Sequence, residues 1–413
     1  MAKAEAASTL IAAYNSGREA ERLALKTAAM RANVFSFYRG TAHLYWRRAH
    51  EAKLDARAPA AWCSGDLHLE NFGTYLADNG LAYFDVNDFD EASKAPCNWE
   101  LLRLLSSIAI AAPALKIGEA EAQVLMQSAA DAYLAALASG KARWIERRLA
   151  QGAISDLLGA LKSRSQVRLL DRRTTKVKGR RSLDVPSQRM LPISAAERAK
   201  LAKFATALGK QFGDPEAYEF IDGARRVAGT GSLGIARYVL LLAGSGSPDG
   251  NMLIDLKAAV PSSLAPVVSV KQPKWSSEAE RIVETQHRCQ AVSPHFLSAV
   301  AFDGAPYVLK ELQPSADRLD LGSIAQRKGA LSVVAGTMGQ LAAWAQLRSA
   351  GRGGSATADE LSAYAHAGAA LPERWCKTAL AFADVTLADY ADYCRAYDAD
   401  NPPGAPATKA PRK

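Results

Sequence analysis

The chain has 413 residues, of which 49% are hydrophobic, so it is long enough for two or three domains or for one two-lobed body. Its 51 basic and 42 acidic residues give a net charge of +9, which permits an anionic partner without requiring a nucleic acid. No run of about 18 apolar residues is present, which argues against a membrane-spanning helix. Five scattered cysteines without a Cys-x-x-Cys pair argue against structural zinc and a disulfide scaffold. Together with an amino terminus that lacks a signal pattern, these features predict a cytoplasmic protein.

The first 58 residues predict helices, because Ala, Leu and Arg dominate there and apolar residues recur every three or four positions. The run Asp78-Asn79-Gly80 predicts a hairpin, since Asn-Gly accepts positive φ at both turn positions. Asn98 is predicted to cap the helix that follows. The strands and helices expected in this region are Phe72–Leu76, Leu81–Val86, Trp99 to about Ala112, and Glu119–Ala138.

A basic segment comes next, with nine basic residues and one acid between Lys162 and Arg181. It has few periodic apolar positions and no aromatic residue, so we interpret it as a solvated loop or surface helix and not as a base-stacking surface. Beyond it, the capping box Ser194-x-x-Glu197 predicts a helix to about Phe212.

Residues 215–312 are typical of strands with one helix, and the pattern is helical again from residue 324 to about residue 398. The elements expected between 235 and 312 are strands Ile235–Ala243 and Met252–Ala259, helix Ser276 to about Gln290, and hairpin strands Leu297–Phe302 and Tyr307–Leu312. The sequence therefore predicts a first helical part (1–214), a small β-rich part (215–320), a second helical part (321–398) and a disordered tail (399–413).

The first candidate motif is the loop Ser64–Asn71, which precedes the predicted hairpin. An Asp, an Asn five residues later and a further Asp after a hairpin are the residue types that phosphoryl transfer requires. Asp66 would accept the proton of a substrate hydroxyl. Asn71 and Asp88 would hold Mg²⁺ against the phosphates of a nucleotide.

The choice of the metal-binding carboxylate stays open at this point. Asp85 or Asp90 could replace Asp88, because all three lie within one short stretch of chain. The structural alternative is that Asp66 and Asn71 only cap a turn, and the presence of the second acidic segment makes that alternative weaker.

A second candidate motif is the Gly-rich run 229–234, which precedes a strand and so does not match a dinucleotide-binding turn. A Gly-rich loop between two strands is the arrangement of protein kinases, in which backbone amides cover the phosphates. Lys257, on the next strand, would contact the α- and β-phosphates, and Glu284, on the following helix, would orient it. An edge lysine and a solvated glutamate are the alternatives. The residues expected to cover the triphosphate are Gly229, Gly231, Ser232 and Gly234.

These motifs resemble a bacterial family known as domain of unknown function 2252, which offers no established substrate to carry over. The resemblance extends from residue 35 to about residue 350, and its segments share their order with the family. They are Phe35–Gly40, Gly65–Gly73, Phe84–Glu91, Trp99–Arg103, Val227–Gly234, Leu253–Ala258, Arg281–Gln286 and Gln290–Ser293.

The loop around Asp66 is also similar to that of aminoglycoside and choline kinases, which reads roughly His-Gly-Asp-Leu-His-x-x-Asn, with Ser64 here in place of the His. In those kinases the Gly-rich loop and the lysine precede this loop, whereas here they follow it by more than 150 residues. Reading residues 215–350 before residues 35–112 restores the kinase order. The resemblance therefore implies an α+β, two-lobed, kinase-like fold that is circularly permuted.

The sequence predicts an ATP- and Mg²⁺-dependent phosphotransferase that acts on a hydroxyl of a small molecule. Its expected partners are a nucleotide and that acceptor, without a membrane or a nucleic acid. The alternatives are a nucleotide-binding module without catalysis, nucleotidyl transfer, and nucleic-acid association through residues 162–181. Metal-dependent ATP binding without turnover would favour the first alternative, and salt-dependent DNA retention without nucleotide binding would favour the last.

Overall fold

The computed structural model describes residues 5–161, 166–312 and 318–401, and within these ranges the chain is a mixed α+β protein. The α-helices are α1 (Ala7–Tyr14), α2 (Ala20–Ala32), α3 (Val34–Gly40), α4 (Ala42–Glu51), α5 (Asn98–Leu115), α6 (Glu119–Ala138), α7 (Gly152–Ala160), α8 (Gln166–Asp171), α9 (Ala195–Phe212), α10 (Glu278–Cys289), α11 (Leu321–Ala325), α12 (Ala330–Arg348), α13 (Ala358–His366) and α14 (Leu371–Asp400). The strands are β1 (Ala60–Cys63), β2 (Phe72–Leu76), β3 (Ala82–Val86), β4 (Ser93–Pro96), β5 (Thr174–Val177), β6 (Arg180–Leu183), β7 (Met190–Leu191), β8 (Phe220–Arg226), β9 (Arg237–Leu242), β10 (Met252–Ala258), β11 (Ser298–Phe302) and β12 (Ala305–Glu311).

The largest core lies among helices from both ends of the chain. α5 is buried along almost its whole length, and α6 and α12 pack closely against each other beside it. Gly339 of α12 faces the backbone of Ala129 on α6, where an added Cβ would collide with the Ala129 carbonyl oxygen. The close approach of these two helices therefore depends on the absence of a side chain at that position.

A six-stranded antiparallel sheet forms the other main unit, in the order β11-β12-β10-β9-β8-β7. Residues alternate between its two faces, as the period of a strand requires. Leu240 of β9 belongs to the core that α9 covers, and Val239 belongs to the core on the opposite face. The sheet begins with β7 and carries α9, so it recruits elements from before residue 215, where the sequence analysis placed the start of the β-rich part.

Several local predictions match the structure closely. The helix over Glu119–Ala138 has the predicted bounds, and the capping box of Ser194 and Glu197 opens α9, which ends at Phe212. The hairpin between β2 and β3 is present, but only Gly80 adopts a positive φ, of 75°, whereas Asn79 does not. The Asn79 side chain instead accepts a hydrogen bond from the Leu81 N–H at 3.1 Å, which stabilises the turn without a left-handed residue.

Two features of the first part differ from the prediction. Asn98 lies inside the first turn of α5, and its side chain makes no capping hydrogen bond, because the chain enters the helix directly from β4. β4 pairs with β1, and the Cys97 N–H donates to the Pro59 carbonyl at 2.9 Å just beyond the last pair. Neither of these short strands was predicted, since their pairing is with a distant segment and leaves no local pattern.

In the described part of the basic segment, most basic residues are exposed, as the sequence analysis predicted: Arg168, Arg172, Lys176, Lys178 and Arg180. However, α8 and the β5–β6 hairpin pack on the sheet, and Arg173 and Arg181 are buried. Arg181 pairs with Asp171 and Asp249, each at 2.8 Å, which fixes the hairpin to the loop between β9 and β10. Residues 162–165 lie outside the described ranges, as do residues 402–413, which hold most of the predicted disordered tail. α14 continues to Asp400.

The contact between α6 and α12 can be tested by substitution. We expect Gly339→Ala to lower the free energy of unfolding by about 1–3 kcal/mol, because the added methyl group forces the two helices apart. Gly159→Ala is the matched control, since Gly159 lies in α7 with open space around it and gains about 0.5–1 kcal/mol from helix propensity. Urea unfolding measures both values, and equal stabilities of the two variants would contradict the packing argument.

Candidate functional site

Two short ladders hold the loops that carry the candidate residues. β1 pairs with β4 and β2 pairs with β3, so that residues 64–71 and residues 87–92 lie side by side. The two loops touch at Gly65, whose φ is 84°. A side chain at this position would collide with the Glu91 carbonyl oxygen, so the close approach requires glycine. The N–H and hydroxyl of Ser64 donate to Glu100 at 2.8 and 3.0 Å, so Ser64 anchors the loop to α5.

Asp66 is held by Arg103, a fully buried residue of α5. Arg103 Nε donates to Asp66 Oδ1 at 2.6 Å, and Arg103 Nη2 also donates to the Tyr38 carbonyl at 3.0 Å. Burial raises the pKa of Asp66 to about 7, against the opposing effect of the Arg103 guanidinium. The Asp66 side chain remains 20% exposed. It therefore combines access to solvent with a pKa in the neutral range, where a general base is most effective.

A cavity of about 290 Å³ lies between these loops and the six-stranded sheet. Asn71 and Asp88 line it from the loops, and Gly229, Ser232 and Lys257 line it from the sheet. These residues come from two regions of the chain that are more than 130 residues apart. The fold thus brings five of the candidate residues into the walls of one cavity.

Lys257 projects from β10 and forms an ion pair with Asp90. The Ser232 hydroxyl of the Gly-rich loop lies 3.4 Å from the same carboxylate oxygen of Asp90. Burial opposes ionisation of the neighbouring Asp88, but Lys257 and Lys310 hold the pKa of its carboxyl below its usual value. Asp88 is therefore ionised at neutral pH and available as an oxygen ligand.

Glu284 does not make the predicted contact with Lys257. Its side chain is 44% exposed and lies 3.5 Å from Arg288, one turn later on α10. The α10 residue that reaches the candidate site is Arg281, which donates to the Asp90 carbonyl at 2.8 Å. Asp90 itself supplies the carboxylate for Lys257, so a loop residue replaces the expected helical glutamate.

Asp85 and Asp66 also lie outside the cavity walls. Asp85 is buried on β3 and pairs with Arg348 of α12 at 2.8 Å, so its carboxylate stabilises packing in the helical part. Asp66 borders the cavity through Asn71, whose side-chain amide donates to the Asp66 carbonyl. Of the three carboxylates considered for metal binding, Asp88 is the one that lines the cavity.

The amino-terminal helices brace the Gly-rich loop, a role that the sequence analysis missed. Arg18 donates to the Gly231 carbonyl at 2.8 Å, Lys26 donates to the same oxygen at 3.2 Å, and the Glu19 N–H donates to the Gly234 carbonyl at 3.1 Å. Gly231 and Gly234 thus face these helices, while Gly229 and Ser232 line the cavity. Lys26 of α2 is fully buried, so its charge requires acceptors, but this burial leaves no signal in the sequence.

The cavity walls also carry a positive charge that the sequence analysis did not anticipate. Arg226 and Arg237 both pair with the buried Asp255, at 2.6 and 2.5 Å between their closest nitrogen and oxygen atoms. Asp255 and Lys257 lie on the same face of β10 because they are two residues apart. Seven cationic and three acidic side chains line the cavity: Arg173, Arg189, Arg226, Arg237, Lys257, Lys310 and Arg318, with Glu70, Asp88 and Asp255. The walls therefore favour an anionic ligand.

Comparison with known proteins gives a family assignment. A family model described as an uncharacterized protein conserved in bacteria, domain of unknown function 2252, matches residues 18–396. The chain belongs to the DUF2252 family. No curated protein and no solved structure gave a match. The match covers every residue of the candidate site, so the site belongs to the part of the chain that defines the family.

Two further observations on this DUF2252 chain concern metal ions and membranes. Over the ranges that the structure describes, no three His, Cys, Asp or Glu side chains form a group suited to a metal ion, and no helix has the length and apolar character to cross a membrane. Asn71 and Asp88 together are a smaller set, of the kind that binds Mg²⁺ when phosphates and water complete the coordination. Their chemistry, one neutral and one anionic oxygen donor, fits that ion.

Bracing of the Gly-rich loop can be tested in this DUF2252 chain by hydrogen exchange. We expect Arg18→Gln to speed exchange of the amides in residues 229–234 by about tenfold, because it removes charge-assisted hydrogen bonds to the loop carbonyls. Arg31→Gln is the control, since Arg31 forms an exposed pair with Asp398. The same exchange rates in both variants would show that the helices do not restrain the loop.

Proposed function

We propose that this chain is an ATP- and Mg²⁺-dependent phosphotransferase that acts on a hydroxyl of a small-molecule acceptor. The supporting observation is the single cavity that Asn71 and Asp88 share with Gly229, Ser232 and Lys257. Nothing local in the sequence requires these residues to meet. Their residue types are the parts that phosphoryl transfer uses: a Gly-rich loop, a lysine on a strand, and Asn and Asp ligands for the metal.

The order of elements supports a circularly permuted, two-lobed, kinase-like fold as part of this proposal. The Gly-rich loop joins β8 to β9, Lys257 lies on β10, and α10 and the β11–β12 hairpin follow. Adjacent strands in this unit are antiparallel, which gives a strand–loop–strand cover over the cavity. The catalytic and metal loops come from a helical part that precedes this unit in the chain, instead of following it as in kinases.

In the proposed complex, Lys257 contacts the α- and β-phosphates and the loop at residues 229–234 covers them. Asp90 orients Lys257, which is the role that the sequence analysis assigned to Glu284. Asn71 and Asp88 hold Mg²⁺, which would neutralise charge on the phosphates during transfer. The ionised state of Asp88 beside Lys257 is consistent with that role.

Asp66 is the proposed general base. Its carboxylate takes the proton of the acceptor hydroxyl while the acceptor oxygen bonds to the γ-phosphorus and the bond to the β-phosphate oxygen breaks. Arg103 keeps the carboxylate in place through its hydrogen bond to Oδ1. The acceptor must therefore approach from the side of the exposed part of Asp66, next to Asn71.

A catalytically silent nucleotide-binding module is the second candidate, and one observation favours it. Asp66 is bound to the guanidinium of Arg103 and is not part of the cavity wall. A carboxylate that serves only to pair a buried arginine would leave a site that binds ATP without transferring its phosphate. The two candidates differ in whether Asp66 is needed for turnover, which can be measured directly.

The metal role of Asp88 predicts a conditional effect on binding. We expect Asp88→Asn to weaken ATP binding by about tenfold or more in the presence of Mg²⁺, because a charged oxygen ligand is lost. Without Mg²⁺ the same change should leave affinity equal or slightly higher, since the carboxylate then only repels phosphates. Calorimetric titration measures both, with Asp78→Asn in the exposed hairpin loop as the control. An unchanged affinity with Mg²⁺ would exclude Asp88 from the metal site.

The base role of Asp66 predicts a pH profile. ATP turnover should rise with pH and level off above about 7, because the carboxylate must lose its proton to act as the base. Asp66→Asn should abolish turnover and leave the ATP dissociation constant within about twofold, since a base acts in the chemical step. Slow ATP hydrolysis is the assay when the acceptor is unknown. Hydrolysis that survives undiminished in Asp66→Asn would exclude Asp66 as the base, whereas ATP binding without any hydrolysis by the wild type would support the silent module.

A further inference from the structure

Arg173 is a buried cation without an ion-pair partner among the described residues. Its side chain lines the cavity, and the residue is only 8% exposed. Among the residues that the structure describes, no carboxylate pairs with its guanidinium and no group accepts a hydrogen bond from it. A buried charge without a partner opposes folding, so its presence in a cavity wall requires an explanation.

The position of Arg173 is fixed by the elements around it. It lies between α8 and β5, where its N–H donates to the Leu170 carbonyl at 2.9 Å and its carbonyl accepts from the Asp184 N–H at 2.9 Å. Leu170 and Leu183 pack on the sheet face that also carries Val239 and Leu253. The guanidinium is thus presented from a packed segment, and it keeps its place in the wall without a direct ion pair.

Other cations lie near Arg173. Burial, and then the positive charges of Arg189 and Arg172, lower the pKa of Arg173 from its usual value. The positive charge of Arg173 also lowers the pKa of Arg226, although burial is the main cause of that shift. Arg226 shares Asp255 with Arg237, so that one carboxylate serves two arginines. The side of the cavity that Arg173, Arg226 and Arg237 line therefore carries more positive than negative charge.

We propose that Arg173 and Arg226 form a phosphate-binding subsite, which holds a phosphate group beyond those that Lys257 and the Gly-rich loop contact. The guanidinium group matches a phosphate through two parallel hydrogen bonds, and a dianion would neutralise the excess charge. The proposal rests on the proposed function for the position of the nucleotide. The added phosphate belongs either to a phosphorylated acceptor or to the nucleotide itself, and both sources present the same chemistry to Arg173.

Inorganic phosphate is the probe that separates these sources. It is titrated into the full chain alone and into the chain saturated with ATP and Mg²⁺, for the wild type, Arg173→Gln and Arg172→Gln. Arg172→Gln removes the same charge one residue earlier from an exposed position, which makes it the matched control. If the acceptor carries the phosphate, the ATP complex binds inorganic phosphate, and Arg173→Gln weakens this binding by about tenfold or more while Arg172→Gln changes it less than about twofold.

The other outcomes are equally decisive. Loss of ATP affinity in Arg173→Gln, with no phosphate binding to the ATP complex, would assign the subsite to a phosphate of the nucleotide. Phosphate binding that depends on Arg173 in a chain that binds no ATP would keep the subsite and overturn the proposed function. Equal affinities of Arg173→Gln and Arg172→Gln for both probes would overturn the subsite.

Thermal unfolding without ligand gives a readout that does not depend on affinity. Because Arg173 is buried beside like charges, Arg173→Gln should melt at the same temperature as the wild type or higher without ligand, which also shows that the variant folds. Added phosphate should raise the melting temperature of the wild type and of Arg172→Gln more than that of Arg173→Gln. A lower melting temperature for Arg173→Gln without ligand, together with an equal rise on adding phosphate, would show a structural role instead.

Discussion

The ion pair between Lys257 and Asp90 joins the two parts of the chain on which the candidate site depends. Lys257 is buried in β10, so its charge requires a carboxylate nearby. Asp90 supplies it from the loop after β3, and its backbone carbonyl accepts a hydrogen bond from Arg281 of α10. The hydroxyl of Ser232 lies beside the same carboxylate. One acidic residue, in the loop after β3, therefore contacts the strand, the helix and the Gly-rich loop of the sheet unit.

Much of the local structure follows from short-range signals in the sequence. The capping box at Ser194 and Glu197 supplies the reciprocal hydrogen bonds that begin α9, and the turn at Asp303 and Gly304 joins two strands of alternating character. Such patterns work because the groups that satisfy one another are only a few residues apart. The meeting of Lys257 and Asp88 in one cavity has no local cause. The sequence analysis expected it because the order of the motifs, once permuted, resembles the order in kinases.

What the sequence did not predict depends on contacts between distant residues. β1 and β4 are four residues long and pair with each other across the β2–β3 hairpin, so neither has a pattern of its own. The sequence analysis paired Lys257 with Glu284, whereas the structure pairs it with Asp90 and places Glu284 beside Arg288. Arg281 of α10 donates instead to the Asp90 carbonyl. The burial of Arg173 depends on how α8 and the β5–β6 hairpin lie on the sheet. From composition alone, this stretch of chain is predicted only to be a polar segment.

The cationic side chains of the cavity differ in how far the protein itself compensates their charge. Arg226 and Arg237 share the carboxylate of Asp255, and Lys257 pairs with Asp90, so their charges are offset only in part. The Gly-rich loop is held from outside, because Arg18 and Lys26 donate to its carbonyls and leave its inner face to the cavity. A loop restrained on one side by cations can present its amides to an anion without first being ordered by it, so less conformational entropy is lost on binding. The amino-terminal segment thus preorganises the Gly-rich wall of the cavity. In the chain, this segment precedes the loop Ser64–Asn71, which lies on the other side of the same cavity.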